Sequence, residues 1–372
     1  MASLSLERRR HPLGYTLYCI LFSLKGIRKA ASMFRVIIHG QLEFGKQQRY
    51  ETALEQFEHR VENYYKNTCV FELEEQFDAD THMIRFHKYI RPVVTSKQWK
   101  MTVHALEFLS GYSMAGYIDC FKLNEGEVLE HVRIQPTGDR STVQNYLRGL
   151  TAIEEGDYTA ALPLFKKAYR KYDHALAYER SGYAQFMLGN YDEAIEFYDK
   201  SLAISKVWPD AHFGRGLIYM KRGEMELAVR DFNNAIEASV ARNPLHYEAR
   251  RRKAMCLYHL RDFEGAIREL HFFTIRKFVP GGRNDRKRRS ALYLYGKALL
   301  KLERWQEAEQ MFDQALKIEA ATKDGIDEAK LYMYRGISRR NIGKTGYRSD
   351  LNKARKAGLP DVEEKMAAYH QA

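Results

Sequence analysis

From Gly149 onward the chain repeats itself, and a repeat this regular leaves few folds open. The segments GLTAIEEGDYTAALPLFKKAY, GYAQFMLGNYDEAIEFYDKSL and GLIYMKRGEMELAVRDFNNAI start at Gly149, Gly182 and Gly216, with spacings of 33 and 34 residues (182 − 149; 216 − 182). Further copies start at Ala254, Gly296 and Gly336, with spacings of 38, 42 and 40, so insertions separate the later units. Periods of this size belong to stacked supersecondary units, each too small to bury its own apolar face.

The residue types at fixed offsets say what each unit is. Apolar spacing of three and four predicts two helices per copy. A small residue opens each copy, where two helices cross closely, and a second one recurs in the other helix at Ala161, Ala194, Ala228, Ala266 and Ala308. Four residues later Phe165, Tyr198, Phe232, Leu270 and Phe312 fill the gap that the small residues leave. Gly156, Gly189, Gly223 and Gly343 end the first helix, where a left-handed residue suits Gly. Aromatics follow the turn at Tyr158, Tyr191, Phe263 and Trp305.

This pattern resembles the tetratricopeptide repeat (TPR), over about residues 138–372 and in about six helix-pair units. The resemblance implies a right-handed α-solenoid. Arg348 stands where the last copy should have a small residue, and a polar run follows, which suits a capping unit. The family takes extended peptides along a concave wall made by the first helices. Carried over position by position, that wall would comprise Tyr146 and Leu150; Glu179, Tyr183 and Met187; Phe213, Leu217 and Lys221; Arg251, Met255 and His259; Tyr293, Lys297 and Lys301; and Met333, Arg340 and Asn341. Its first half is aromatic and apolar, its second half basic. The Lys and Asn with which the best-known TPR groove holds a C-terminal carboxylate correspond here to Tyr146 and Leu150, so that mode is not implied.

Residues 33–136 read as a small α+β two-layer domain in the order β-α-β-β-α-β-β. Phe34–Phe44 is strand-like, and Tyr50, Leu54, Phe57 and Val61 have helical spacing. Val70–Leu73 and Met83–Ile90 are short strands, Pro92 breaks the chain, and Ser96 caps a second helix. A hairpin turns at Asn124–Gly126. Asp80 and His82 would share a strand face but lack a third ligand, so neither a metal nor another cofactor is expected. No phosphate-binding or nucleophile motif occurs, and an enzyme hosted by this domain is the weakest of the functional readings. Residues 1–32 pair Arg8–Arg10 with the apolar run Tyr15–Leu24. They read as a secretory signal, a membrane-surface helix, or sequence upstream of a true start at Met33.

Net charge is +12, which favours acidic partners. Arg283, Arg286, Lys287, Arg288 and Arg289 cluster beside Pro280–Gly282, as a loop that would meet phosphates or acidic protein without reading bases. Four scattered cysteines suggest reduced thiols and a cytoplasmic setting. The leading expectation is a protein-interaction scaffold, with the α+β domain as a second docking or dimerising module. The alternative is a regulatory TPR protein that engages nucleic acid through the basic loop.

Overall fold

The computed structural model describes residues 33–66, 68–137, 141–170, 174–318 and 326–369. The expectations for residues 1–32 lie outside them. Five strands, β1 (Met33–Glu43), β2 (Phe77–Asp78), β3 (Met83–Thr95), β4 (Ala115–Asn124) and β5 (Glu127–Ile134), form one antiparallel sheet in the order β2-β3-β1-β4-β5. Helices α1 (Gln47–Arg60, prolonged by a π turn over Val61–Tyr65) and α3 (Ser96–Ser110) cover one face. Val36, Ile38, Leu42, Ile118 and Cys120 point into that layer, against Phe57, Trp99 and Leu106. The period-2 alternation of β1 and β4 leaves Ile37, His39, Gln41 and Glu43, with Tyr117, Asp119, Phe121 and Leu123, on the other face.

Several local expectations are corrected. Residues 70–72 are not a strand, and Leu73–Gln76 is the single-turn helix α2. Side chains satisfy the Val70 backbone instead: its N–H donates to Thr102 Oγ1 at 3.0 Å, and its carbonyl accepts from Arg91 Nε at 3.0 Å. Pro92 does not end β3. Phe34 pairs with Val94 and Val36 with Arg91, so Pro92 and Val93 together oppose Arg35 in a bulge, where a missing N–H breaks no ladder bond. Thr95, not Ser96, caps α3, in a capping box with Gln98. His82 lies in a turn with φ +51°, so it shares no strand face with Asp80. Among the described residues no three His, Cys, Asp or Glu side chains lie close enough to hold a metal ion.

Six antiparallel helix pairs follow: α4 (Ser141–Glu154) with α5 (Tyr158–Tyr169), α6 (Ala175–Leu188) with α7 (Tyr191–Ile204), α8 (Pro209–Arg222) with α9 (Met225–Ala238), α10 (Pro244–His259) with α11 (Phe263–Thr274), α12 (Arg288–Lys301) with α13 (Trp305–Lys317), and α14 (Glu328–Asn341) with α15 (Tyr347–Lys356). A last helix, α16 (Val362–Tyr369), packs on the final pair. The repeated small residues work as the spacing suggests. A Cβ on Gly149 would come within 2.5 Å of the Phe165 ring, and one on Gly214 within 2.3 Å of Tyr198. Ala161, Ala194, Ala228, Ala266 and Ala308 are fully buried.

The sheet does not stand apart from the solenoid. Its second face packs on the loops that join successive pairs. Ser205 Oγ donates to Gln41 Oε1 at 3.0 Å, Tyr117 packs edge-on against Trp208 with its hydroxyl 3.4 Å from Asp210, and Val240 joins Phe121 and Leu123 in one apolar cluster. The face available for the expected docking or dimerising role is thus occupied within the chain. Glu43 lies in this junction, 2% exposed, and accepts from the Ala175 N–H at the start of α6 at 3.3 Å. His174 Nδ1 is 3.9 Å from it.

Burial pushes the Glu43 carboxyl up to about 7, against hydrogen bonds from Gln41 and Ala175 and the charge of Arg85. A carboxyl raised above its unfolded value contributes stability at acid pH that is lost as pH rises through about 7. Glu43→Gln should therefore flatten the pH dependence of thermal melting between pH 5 and 8 and stabilise the protein at pH 8, by roughly 2–3 kcal/mol. Melting curves of both proteins across that range check this. An unchanged slope would remove Glu43 as its source.

Candidate partner-binding groove

Each first helix touches the first helix of the next pair: α4 meets α6, then α6–α8, α8–α10, α10–α12 and α12–α14. Second helices do not approach one another as closely. The stack therefore curves toward the first helices, which form its inner wall.

The carried-over positions divide by depth along these helices. Tyr146, Glu179, Phe213, Arg251 and Met333 are buried, contrary to a role as open groove lining. Tyr146 packs on Phe165 and His174, and Phe213 on Phe232. Glu179 lies 3.1 Å from Arg180 Nε, within ion-pair range but not aligned as a hydrogen bond. Burial pushes its carboxyl up to about 7, with Arg180 opposing. The reason for this depth is the sheet. Tyr117 and the loop at Trp208 cover the early turns of α6 and α8, an arrangement that the repeat pattern alone does not contain.

One turn further along, the residues open to solvent. Met187, Lys221, His259, Arg340 and Asn341 are exposed, while Leu150, Tyr183, Leu217, Met255, Tyr293, Lys297 and Lys301 are half-buried. They form two clusters. In the first, Tyr183 meets Tyr158 edge-on at 6.1 Å, and Lys221 lies 4.7 Å over the Tyr191 ring and donates to its hydroxyl. Met187 and Leu188 are 43% and 41% exposed beside it.

The second cluster lines a cavity of about 310 Å³ between α10 and α12. Met255, Ala291, Tyr293, Leu294 and Ile326 give it apolar walls, and Arg251, Arg252, His259 and Lys287 surround them. Glu248 holds the arginines in place. Its Oε1 accepts from Arg251 Nη2 at 2.6 Å and from Arg252 Nε at 3.0 Å. Burial would raise the Glu248 carboxyl, but these guanidinium contacts outweigh it and hold the group below its usual range. With two arginines and Lys287 against one carboxylate, the cavity keeps a positive surplus. Lys297 packs 5.0 Å over Tyr258, and burial with nearby Lys330 and Lys301 lowers its ammonium pKa. Such a site can take an apolar side chain next to a negative group.

The basic loop is smaller than the sequence suggested. Helix α12 begins at Arg288, and two of the five cations are structural. Arg288 donates to the carbonyls of Thr274 and Arg276 at 2.5 and 2.6 Å, and Arg289 is 3% exposed. Arg283 and Arg286 are exposed and Lys287 half-exposed. Cys120 and Cys256 are buried thiols and Cys69 is half-buried. No helix among the described residues is long and apolar enough to cross a membrane.

Two family models, both described as tetratricopeptide repeat, match the chain, one over residues 146–207, 230–270 and 282–325 and the other over 209–239. A TPR repeat-containing protein of Methanocaldococcus jannaschii is 27% identical over 99 residues, covering 27% of this chain and 18% of its own length. Tetratricopeptide repeat protein 14 of Mus musculus is 27% identical over 165 residues, covering 43% and 20%. The chain thus spans about a fifth of the length of these relatives. Among solved structures, the TPR protein YrrB is 18% identical with a TM-score of 0.43, covering 60% of this chain and 97% of its own. PilF of Pseudomonas aeruginosa is 14% identical with a TM-score of 0.46, covering 61% and 97%. Repeat period, helix pairing and family match agree: from Tyr146 to Gly325 the chain is a tetratricopeptide-repeat array of the TPR family.

Proposed function

We propose that the chain is a non-enzymatic interaction scaffold whose inner wall binds an extended segment of another protein. The observation that carries this reading is the cavity between α10 and α12, where apolar walls from Met255, Tyr293 and Leu294 meet the cations of Arg252 and Lys287. A segment that suits it has one apolar anchor followed by a carboxylate or phosphate. The exposed Met187 and the Tyr183–Tyr158 pair supply a second, uncharged contact further along the same wall.

Acidic, anchor-bearing peptides selected from a displayed library and measured by calorimetry test the reading. Arg252→Ala and Leu294→Asp should each lower affinity about tenfold or more, the loss typical of a central interface contact. Arg230→Ala, on the exposed side of α9, should leave it unchanged. Wild-type affinity in Leu294→Asp, with the helical signal intact, would place the peptide elsewhere.

A further inference from the structure

Near the rim of the basic loop lies a cleft that the sequence did not bring together. Its volume is about 210 Å³, and its lining comes from the α9–α10 loop, the start of α10 and the α11–α12 loop. Tyr247 and Phe278 form its aromatic part, packed edge-on at 5.4 Å. Arg276 lies 5.7 Å over the Tyr247 ring and Arg288 5.2 Å over Phe278. Arg242, Lys277 and Arg283 complete the wall.

Charge here is one-sided. Asp285 is the single carboxylate among the described lining residues, and it is engaged by the Gly281 N–H at 3.0 Å and by Arg288 at 3.7 Å. Among the described residues none of Arg242, Arg276, Lys277 and Arg283 has a carboxylate within ion-pair distance. Burial, and then the neighbouring Arg276, lower the Arg242 guanidinium pKa, as expected where cations crowd without compensation.

We infer that this cleft binds single-stranded nucleic acid, one base stacking on the Tyr247–Phe278 aromatic pair while Arg242, Arg276, Lys277 and Arg283 meet the flanking phosphates. Sequence-tolerant binding of single strands needs this combination: ring faces for the base and a cationic track for the backbone. The cleft is smaller than the pockets of about 300–1,000 Å³ that take drug-sized ligands, which suits one ring system. An acidic peptide would satisfy the cations but not the ring faces, so the nucleotide is the better match. The site is separate from the α10–α12 cavity and does not depend on the scaffold reading.

Fluorescence anisotropy of the full chain with short oligouridylate and oligothymidylate, over a salt series, tests the inference. Tyr247→Leu and Phe278→Leu should each weaken binding about tenfold while leaving the salt slope unchanged, since a stacking contact is lost and no phosphate contact. Arg276→Ala with Lys277→Ala should flatten the slope by about one unit of log K per log salt. Tyr247→Phe keeps the ring and should bind as wild type, which separates stacking from a folding defect. Equal affinity for oligoglutamate, full binding by Tyr247→Leu, or no binding at low salt would each overturn the proposal.

Discussion

Replacing Phe312 by Ala should cost about 3–5 kcal/mol, the loss expected for a fully buried aromatic in a core that cannot collapse. The ring leaves α13 and fills the space above Gly296 of α12, where a Cβ would come within 2.5 Å of it. It also stacks on Tyr334 of α14 at 5.8 Å and meets Tyr293 edge-on at 6.5 Å. One side chain thus joins two successive pairs. In a solenoid, stability is a sum over units and their interfaces, so the damage should be local. Urea titration should give the loss, and amide exchange should quicken in α12–α15 while the sheet is unaffected. Phe312→Leu, which keeps most of the volume, should cost under about 1.5 kcal/mol. A loss below about 1 kcal/mol for the Ala variant would mean that the aromatic is not what couples these pairs.

Asp350→Ala should be comparably severe, about 3–5 kcal/mol, for an electrostatic reason. The Asp350 side chain is 1% exposed. It accepts from Arg335 Nε and Nη2 at 3.0 and 2.5 Å and from Arg339 Nη1 at 3.0 Å. Its removal leaves two guanidinium groups facing each other in a dry site, with Asp313 as compensation for both. The exposed pair Arg304–Glu307 is the contrast: at 36% and 49% exposure, Glu307→Ala should change stability by at most about 1 kcal/mol. Burial also shields the Asp350 network from added salt, so its effect should persist at high ionic strength. Thermal melts of both variants at low and high salt make the comparison. Equal and small losses would remove the network from the account of how the last pair is held.

The repeats were legible because their chemistry is local and periodic. A glycine under a ring, an alanine facing it and a left-handed glycine after the first helix recur at fixed offsets. Gly189 and Gly223 do take φ +87° and +83°. The sheet was legible in order but not in detail. Pro92 reads as a breaker because one sequence carries no sign of the strand beside it, and only that pairing puts it at a bulge. Thr95 and Ser96 are both good caps, and Gln98 decides between them.

The groove was legible only in part. The family offset names the inner wall correctly at Tyr183, Met255 and Tyr293, yet it also names Glu179 and Phe213, which are buried. Their burial depends on how two independently readable regions pack together. The aromatic cleft was invisible for a similar reason. Arg242 and Tyr247 are about thirty residues from Arg276 and Phe278 in sequence, and the turn of one helix pair brings them together.

The sheet's hold on Ala175, Ser205, Trp208 and Val240 has a mechanical consequence. A stack of hairpins ordinarily stretches and winds like a spring, because each joint is free to flex a little. Here a rigid plate is fastened across three joints in a row, so the coil is splinted over its first half. Among the described residues no comparable brace spans the joints after α10, and any tightening around a guest has to come from that end.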